Sequence, residues 1–240
     1  MNSTHLSNRL NKVAEYIIQH GEKPIRLADI GTDHAYLPVN LTLNHNIQFA
    51  VAGDVVEGPY LSALNEVASH NLFDQINVRK ANGLEAISTQ DQINVISICG
   101  MGGKLISEIL NSGINKIEDN CTLVLQSNTG GHLVRQWLND HHMDIVDETV
   151  ILEDQHYYEI IVAKRLQKSK KTLTPSQILM GPINLIKREE DFVKLWKSQY
   201  QHYAGILANI TPDKADNNDK IKQIQNNLDL IKEVISIESN

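Results

Sequence analysis

The 240 residues carry a formal charge of −7, with 41% apolar and 21% charged side chains, and this ordinary globular usage excludes a disordered chain. No apolar run is long enough to span a bilayer and no signal-peptide pattern opens the chain, so a cytoplasmic protein with no membrane contact is expected. Two cysteines, Cys99 and Cys121, cannot build a disulfide framework, and none of the ten histidines has metal-ligand spacing with cysteine or glutamate around it, so no metal is expected. The charge is uneven: residues 1–163 hold 9 basic against 20 acidic side chains, and residues 164–240 hold 13 against 9. Distribution outweighs the total when a polyanion partner is considered.

In chain order, residues 4–19 place Leu6, Leu10, Val13 and Ile17 on one helical stripe, ended by Gly21 and Pro24. Residues 25–38 then read I-R-L-A-D-I-G-T-D-H-A-Y-L-P. An apolar run closing on Asp29 and Gly31 before a helical pattern is a buried parallel strand turning into a helix. Pro38 is tolerated only in a first turn, which sets the helix start near Ala35. In open α/β sheets ligands lie outside the carboxyl ends of the strands. Gly31 lets a ligand approach the backbone, and Asp29 and Asp33 flank that approach with acid. Such a turn disfavours a pyrophosphate and suits S-adenosylmethionine, which carries a ribose, an amino group and a sulfonium. A dinucleotide would ask for G-x-G-x-x-G, and Gly31 stands alone.

The second strand, residues 48–55, closes on Asp54 with Val55 beside it, 23 positions past Gly31. An acidic residue there holds a ribose diol, with Glu57 as a competing candidate. A helix from Gly58–Pro59 to about Asn71 leads to a short third strand, residues 76–80. Asn82 follows, either reaching an adenine edge or capping a helix that Gly83 opens. The fourth strand, residues 94–99, runs into Gly100-Met101-Gly102-Gly103, which admits close approach of a flat ligand and exposes N–H groups at the next helix start. The fifth, residues 121–126, ends before Ser127 and Asn128, so Gln126 and Asn128 either point into the same cleft or cap the loop. Cys99 sits at the cleft edge, open to an electrophile or simply a small hydrophobe.

A helix over residues 133–142 precedes two strands, 145–152 and 157–163, joined tightly enough to form an antiparallel hairpin. The expectation is a doubly wound sheet of five parallel strands plus that hairpin, with strands one and four side by side. The basic stretch 164–171 reads as a boundary, giving domains at 1–166 and 167–240. Beyond it Trp196, Tyr200, Tyr203, Leu207, Ile210 and then Ile221, Ile224, Leu228, Ile231, Ile235 form two heptad seams around a turn at 211–219. They predict an antiparallel helical hairpin leaning on residues 172–190 or on the sheet, with its aromatic stripe in the core rather than stacked on bases.

The segments A-D-I-G-T-D-H-A-Y-L-P, A-G-D-V-V-E-G-P and I-C-G-M-G-G, with the heptad tail, resemble the bacterial tRNA (adenine-22-N1)-methyltransferase family over essentially the whole chain. The resemblance implies a class I (Rossmann-like) methyltransferase sheet, a small α-helical antiparallel coiled-coil C-terminal domain contacting tRNA, and S-adenosylmethionine as donor. It places Asp29 and Gly31 at the methionine end of the donor, Asp54 and Val55 at the ribose, Asn82 and Gly83 at the adenine, and Gly100 and Met101 at the cleft wall. This chain departs from the family pattern at Ala81-Asn82-Gly83, where Gly-Asp-Gly is common, and at Gln126-Ser127-Asn128, where Gln-Pro-Asn is common.

N1 of neutral adenine carries a lone pair and no proton, so it attacks the sulfonium methyl directly and in line without an obligatory base. The product base is a cation, which a carboxylate stabilises. Asp33 is the expected group, its alternative being an N-cap for the helix starting near His34. His34 and Tyr36 are candidates for positioning or stacking. The chain lacks the Asn/Asp-Pro-Pro-Tyr/Phe segment typical of exocyclic-amine methylation, which favours a ring nitrogen. The competing readings are a methyltransferase of a small molecule or protein, a nicotinamide dehydrogenase, and a non-catalytic coiled-coil protein. A monomer is expected.

Overall fold

The computed structural model describes residues 2–165, 172–210 and 215–236. In chain order the elements are α1 (Asn8–His20), β1 (Arg26–Ile30), α2 (Tyr36–Leu43), β2 (Phe49–Asp54), α3 (Glu57–Ser69), β3 (Ile76–Lys80), β4 (Val95–Gly102), α4 (Gly103–Ser112), β5 (Thr122–Thr129), α5 (Gly131–Asp140), β6 (Asp144–Glu153), β7 (His156–Lys164), α6 (Pro175–Met180), α7 (Asn184–Lys187), α8 (Glu190–Asn209) and α9 (Ala215–Ser236). The seven strands form one sheet in the order β3-β2-β1-β4-β5-β7-β6. The first five are parallel, and β7 pairs antiparallel with both β5 and β6. β1 and β4 are neighbours, so the chain reverses its winding direction between them and opens a crevice at their carboxyl ends.

Helices cover both faces, which is why the central strands read as unbroken apolar runs. One face is packed by Val13 and Ile17 of α1, Leu37 and Leu41 of α2 and Ala63 and Val67 of α3, against Leu27, Ala50 and Val124 of the sheet. The other is packed by Ile106 and Leu110 of α4 and Val134 and Leu138 of α5, against Ala28, Ile96 and Leu125. The period-2 alternation of these strands therefore feeds two cores at once. Ser7 caps α1 through Leu10 N–H, and Gly21 closes it by donating to the Ile17 carbonyl.

Several expected boundaries move. β4 continues to Gly102 and β5 to Thr129, pairing Met101 with Ser127 and Gly102 with Thr129 across register shifts. Glycines without side chains let the ladder continue irregularly where the sequence suggests a loop. α5 starts at Gly131, two residues early, because Gly130 takes a left-handed turn at φ 73°. Gly83 opens only a single 3-10 turn, Gly83–Ala86. α9 starts at Ala215, inside the expected turn, since a stretch rich in Asp and Asn also suits a helix start. Residues 211–214 of that turn and the boundary between 166 and 167 lie outside the described residues.

α8 and α9 pack antiparallel, with the Arg188 guanidinium donating to the Val234 carbonyl at 2.8 Å where the start of one meets the end of the other. Trp196, Ile224, Leu228 and Ile231 of the seams are buried, while Tyr200 and Tyr203 pack partly buried beside them. Ile235 lies outside the residues whose side chains are described. The pair does lean on both expected supports: Leu179 and Met180 of α6, and Val150 of β6. Thr149 of β6 also donates to Glu189 at 2.7 Å, and the Leu152 N–H to Asp191 at 3.0 Å. Among the described residues no helix is long and apolar enough to cross a membrane.

Candidate active site

The turn after β1 is tied to the end of β2. Gly31 N–H donates to the Gly53 carbonyl at 2.8 Å and Thr32 N–H to the same oxygen at 3.1 Å. Gly31 takes φ 69°, and a Cβ there would stand 2.0 Å from the Met101 methyl, so glycine and methionine close on one another. Asp33 and Ala35 also take positive φ, 53° and 54°, on either side of His34. Each costs about 1–2 kcal/mol for a non-glycine residue, local strain of the kind that clusters at functional sites. Ala35 occupies the N-cap position of α2 without a side-chain bond, so Asp33 is not the helix cap. Its side chain is 66% exposed on the lip of the cleft, 3.6 Å from His34. The His34 ring lies parallel to Tyr36, 5.1 Å between centroids.

The floor of the cleft is Asp29, buried rather than open. The Ser97 and Thr32 hydroxyls each donate to it at 2.6 Å, one to each carboxylate oxygen. Burial pushes this carboxyl up, the two hydroxyl bonds pull it down, and Asp54 adds to the rise. Cys99 also lines the cleft. Burial and then the Asp29 charge push its thiol well above the ordinary range, so at neutral pH it is protonated and a poor nucleophile.

The wall at Gly100 is built by β5. Gln126, fully buried, accepts from Gly100 N–H at 2.8 Å, and Asn128 donates to the Gly100 carbonyl at 2.8 Å. Gln126 in turn donates to Asn128 at 3.0 Å. These two side chains hold both backbone polar groups of a glycine at φ 77°, rather than capping their own loop. A third group was not anticipated from the sequence. Arg9 reaches from α1 to hydrogen-bond the Gln126 side-chain oxygen, with its guanidinium 5.2 Å from the Tyr158 ring centre. The resulting cleft, about 110 Å³, includes Arg9, Asp29, Gly31, Asp33, Tyr36 and Gly100, with His34 on the same lip.

Asp54, Val55, Asn82 and Gly83 continue the site along the strand ends, outside that cavity. Asp54 accepts from Val56 N–H at 2.9 Å and from Asp33 N–H at 3.3 Å, which aims its carboxylate across the turn while lone pairs remain for a diol. Its competitor Glu57 is ion-paired with Lys80. Val55 and Val56 are each more than half exposed, an apolar shelf beside a half-buried acid. The Asn82 amide is exposed and makes no capping bond, so its edge is available. A glycine-cradled turn, a diol acceptor, an apolar shelf and a free amide fit the methionine, ribose and adenine portions of S-adenosylmethionine in order.

A family model described as tRNA (adenine(22)-N(1))-methyltransferase matches residues 27–233. The chain belongs to that family. The Bacillus subtilis (strain 168) tRNA (adenine(22)-N(1))-methyltransferase is 36% identical over 240 residues, covering 98% of this chain and 99% of its own. The crystal structure of the B. subtilis enzyme superposes with a TM-score of 0.85 at 36% identity, over 97% of this chain and 99% of that one. Streptococcus pneumoniae Sp1610, solved in complex with S-adenosyl-L-methionine, superposes with a TM-score of 0.84 at 36% identity, over 96% of this chain and all of that one. This tRNA methyltransferase thus shares the architecture of its relatives through the C-terminal helices as well as the sheet.

Proposed function

We propose that this enzyme places a methyl group from S-adenosylmethionine on N1 of adenine 22 of bacterial tRNA, by direct in-line attack of the ring nitrogen. The observation that carries the reading is the cleft at the β1/β4 reversal, where Asp29, Gly31, Asp33 and Gly100 converge in a chain of this family. When bound, the donor supplies an electrophilic methyl group. Asp54 holds its ribose with Val55 against it, Asn82 and Gly83 meet its adenine, Asp29 and Gly31 its methionine end, and Gly100 and Met101 wall the cleft. Asp33 stands where the positive charge of the methylated base develops, and it accepts from the adenine amino group. His34 and Tyr36 supply a stacked flank that orients the ring. No group has to remove a proton before attack, which is consistent with a lip that offers a carboxylate rather than a buried base. Gly100-Met101-Gly102-Gly103 presents no acceptor side chain for an exocyclic amine, which also favours the ring nitrogen.

The basic balance of residues 164–240 supports a division at 166/167, with the helical part contacting tRNA phosphates and the acidic part performing the chemistry. We place the reaction in the cytoplasm, with the chain acting as a monomer and without a metal. Calorimetry with the full chain tests the donor assignment. S-adenosylmethionine and S-adenosylhomocysteine are expected to bind at one site and NAD not at all; binding of NAD alone would contradict it.

The state of Asp29 makes donor binding pH-dependent. Its folded value lies above the unfolded one, so burial of the acid is stabilising below its ordinary range and becomes unfavourable as pH rises through the raised value. A cationic donor favours the ionised form. Affinity is therefore expected to fall as pH drops through the raised value, and Asp29→Asn to bind weakly with that dependence gone. The variant should be at least as stable as the parent at neutral pH. A flat affinity profile in the parent would contradict this.

A further inference from the structure

β4 and β5 fall out of step where the cleft wall is built. Ile98 pairs with Leu125 and Met101 with Ser127, so β4 spends one residue more than β5 between the two pairs. The extra residue makes a bulge, and Gln126 stands opposite Cys99 and Gly100 within it. A bulge takes backbone groups out of the ladder, and here side chains replace it. Gly100 N–H donates to Gln126 Oε1 at 2.8 Å, Gln126 Nε2 to Asn128 Oδ1 at 3.0 Å, and Asn128 Nδ2 to the Gly100 carbonyl at 2.8 Å. The three bonds close a ring on one glycine at φ 77°.

Among the described residues, Arg9 is the charged side chain bonded to that ring, through Gln126 Oε1. A side-chain amide accepts on one side and donates on the other, whereas a guanidinium only donates. Arg9 therefore requires Gln126 Oε1 on its own side, the orientation that Gly100 N–H also needs. A reversed amide would set its nitrogen against two donors. A hydrogen bond from a cation is about twice as strong as one between neutral groups. Gln126 is fully buried, so water does not compete for it. Arg9 is itself anchored on the β6–β7 hairpin: its main-chain N–H donates to Glu153 at 3.0 Å, and its guanidinium lies 5.2 Å from the Tyr158 ring centre.

The ring bears on the donor site through Met101. That residue follows Gly100, and its methyl lies 2.0 Å from where a Gly31 Cβ would stand. The direction of the Gly100 peptide thus sets how closely the β4 turn approaches the β1 turn. We propose that Arg9 is a positioning residue of the donor site: through Gln126 it fixes the Gly100 peptide and the Met101 wall, and donor affinity depends on it by that route. The inference rests on the donor assignment of the preceding subsection and adds to it a residue of α1, away from the strand ends.

Calorimetry with the full chain and S-adenosylhomocysteine tests the route. Arg9→Met removes the hydrogen-bond donor at similar length and is expected to weaken binding about tenfold, the worth of one hydrogen bond to a charged group. Arg9→Lys, which still only donates, is expected to recover most of that loss. Gln126→Met is expected to weaken binding at least as much. Arg9→Met added to it should cost no more than about a further twofold, because both changes remove the same contact. Amide hydrogen exchange of donor-free enzyme carrying isotope-labelled glycine, followed by NMR, reads the ring itself. Arg9→Met is expected to speed exchange at Gly100 about tenfold. Gly31, whose N–H bonds the Gly53 carbonyl, should keep the parent rate. This comparison decides the matter if Gln126→Met is poorly folded. Full additivity of the two losses overturns the proposal, since Arg9 then meets the ligand directly. Equal acceleration at Gly31 and Gly100 also overturns it, because Arg9 is then a general stabiliser. A parent enzyme that binds no S-adenosylhomocysteine overturns the donor assignment and the role of Arg9 in it, while exchange at Gly100 still shows whether Arg9 holds the ring.

Discussion

Asp33→Asn is expected to lower kcat about a hundredfold while leaving donor affinity within about threefold of the parent, as removal of one preorganised charge-stabilising group does. The substitution is nearly isosteric, and asparagine tolerates the left-handed backbone at φ 53° as well as aspartate does. The Asp33 N–H bond to Asp54 involves the main chain and survives the change. What is lost is the negative charge that the proposed reaction sets against the methylated ring. Because the free side chain is 66% exposed, water screens it until the base covers the lip, so the loss should appear in kcat rather than in KM. Single-turnover methylation with saturating donor and tRNA measures it. A rate within twofold of the parent would remove Asp33 from the chemistry and leave it a loop residue.

Arg135→Met is expected to cost about 3–5 kcal/mol of stability, because it leaves a buried carboxylate without its partner. Arg135 and Glu148 are both fully buried and meet at 2.6 Å, and Arg135 also pairs with Glu159. The network crosses between the sheet and the C-terminal helices. Arg135 donates to the Leu179 carbonyl at 3.3 Å, and Glu148 accepts from Ile183 N–H at 2.9 Å. Gly181 sits against the same carboxylate, where a Cβ would lie 2.6 Å from it. Burial already pushes the Glu148 carboxyl up, against the pull of Arg135, and loss of the arginine raises it further. The deficit should therefore be full at neutral pH and shrink as pH falls and Glu148 takes up a proton. Urea denaturation at neutral and at acidic pH checks this. A loss below 1 kcal/mol at neutral pH would mean the network contributes little to holding the helices on the sheet.

The sheet was legible because three of its parallel strands announce themselves as apolar runs ended by an acid or a glycine: Asp29-Ile30-Gly31, Gly53-Asp54, Cys99-Gly100. Those punctuation marks are also the site, since ligands in such sheets meet the carboxyl ends of strands. The heptad seams were legible for the same reason, a period set by burial on one side. Arg9 was not, because its partner Gln126 lies 117 residues away and its own helix shows only a stripe of Leu10, Val13 and Ile17 beside it. The Arg135 network left one trace, the acidic pair Asp147–Glu148 between Ile145-Val146 and Val150-Ile151-Leu152 of one strand, which asks for a buried cation. The extensions of β4 and β5 were hidden because glycine, serine and asparagine read as loop when their partners across the ladder are unknown.

The measurement that tests the account most directly is methyl transfer from labelled S-adenosylmethionine to two unmodified tRNA transcripts, one with adenine and one with guanine at position 22. The account predicts label in the adenine transcript alone, recovered as 1-methyladenosine. Label in both transcripts, or recovery as N6-methyladenosine, would contradict it.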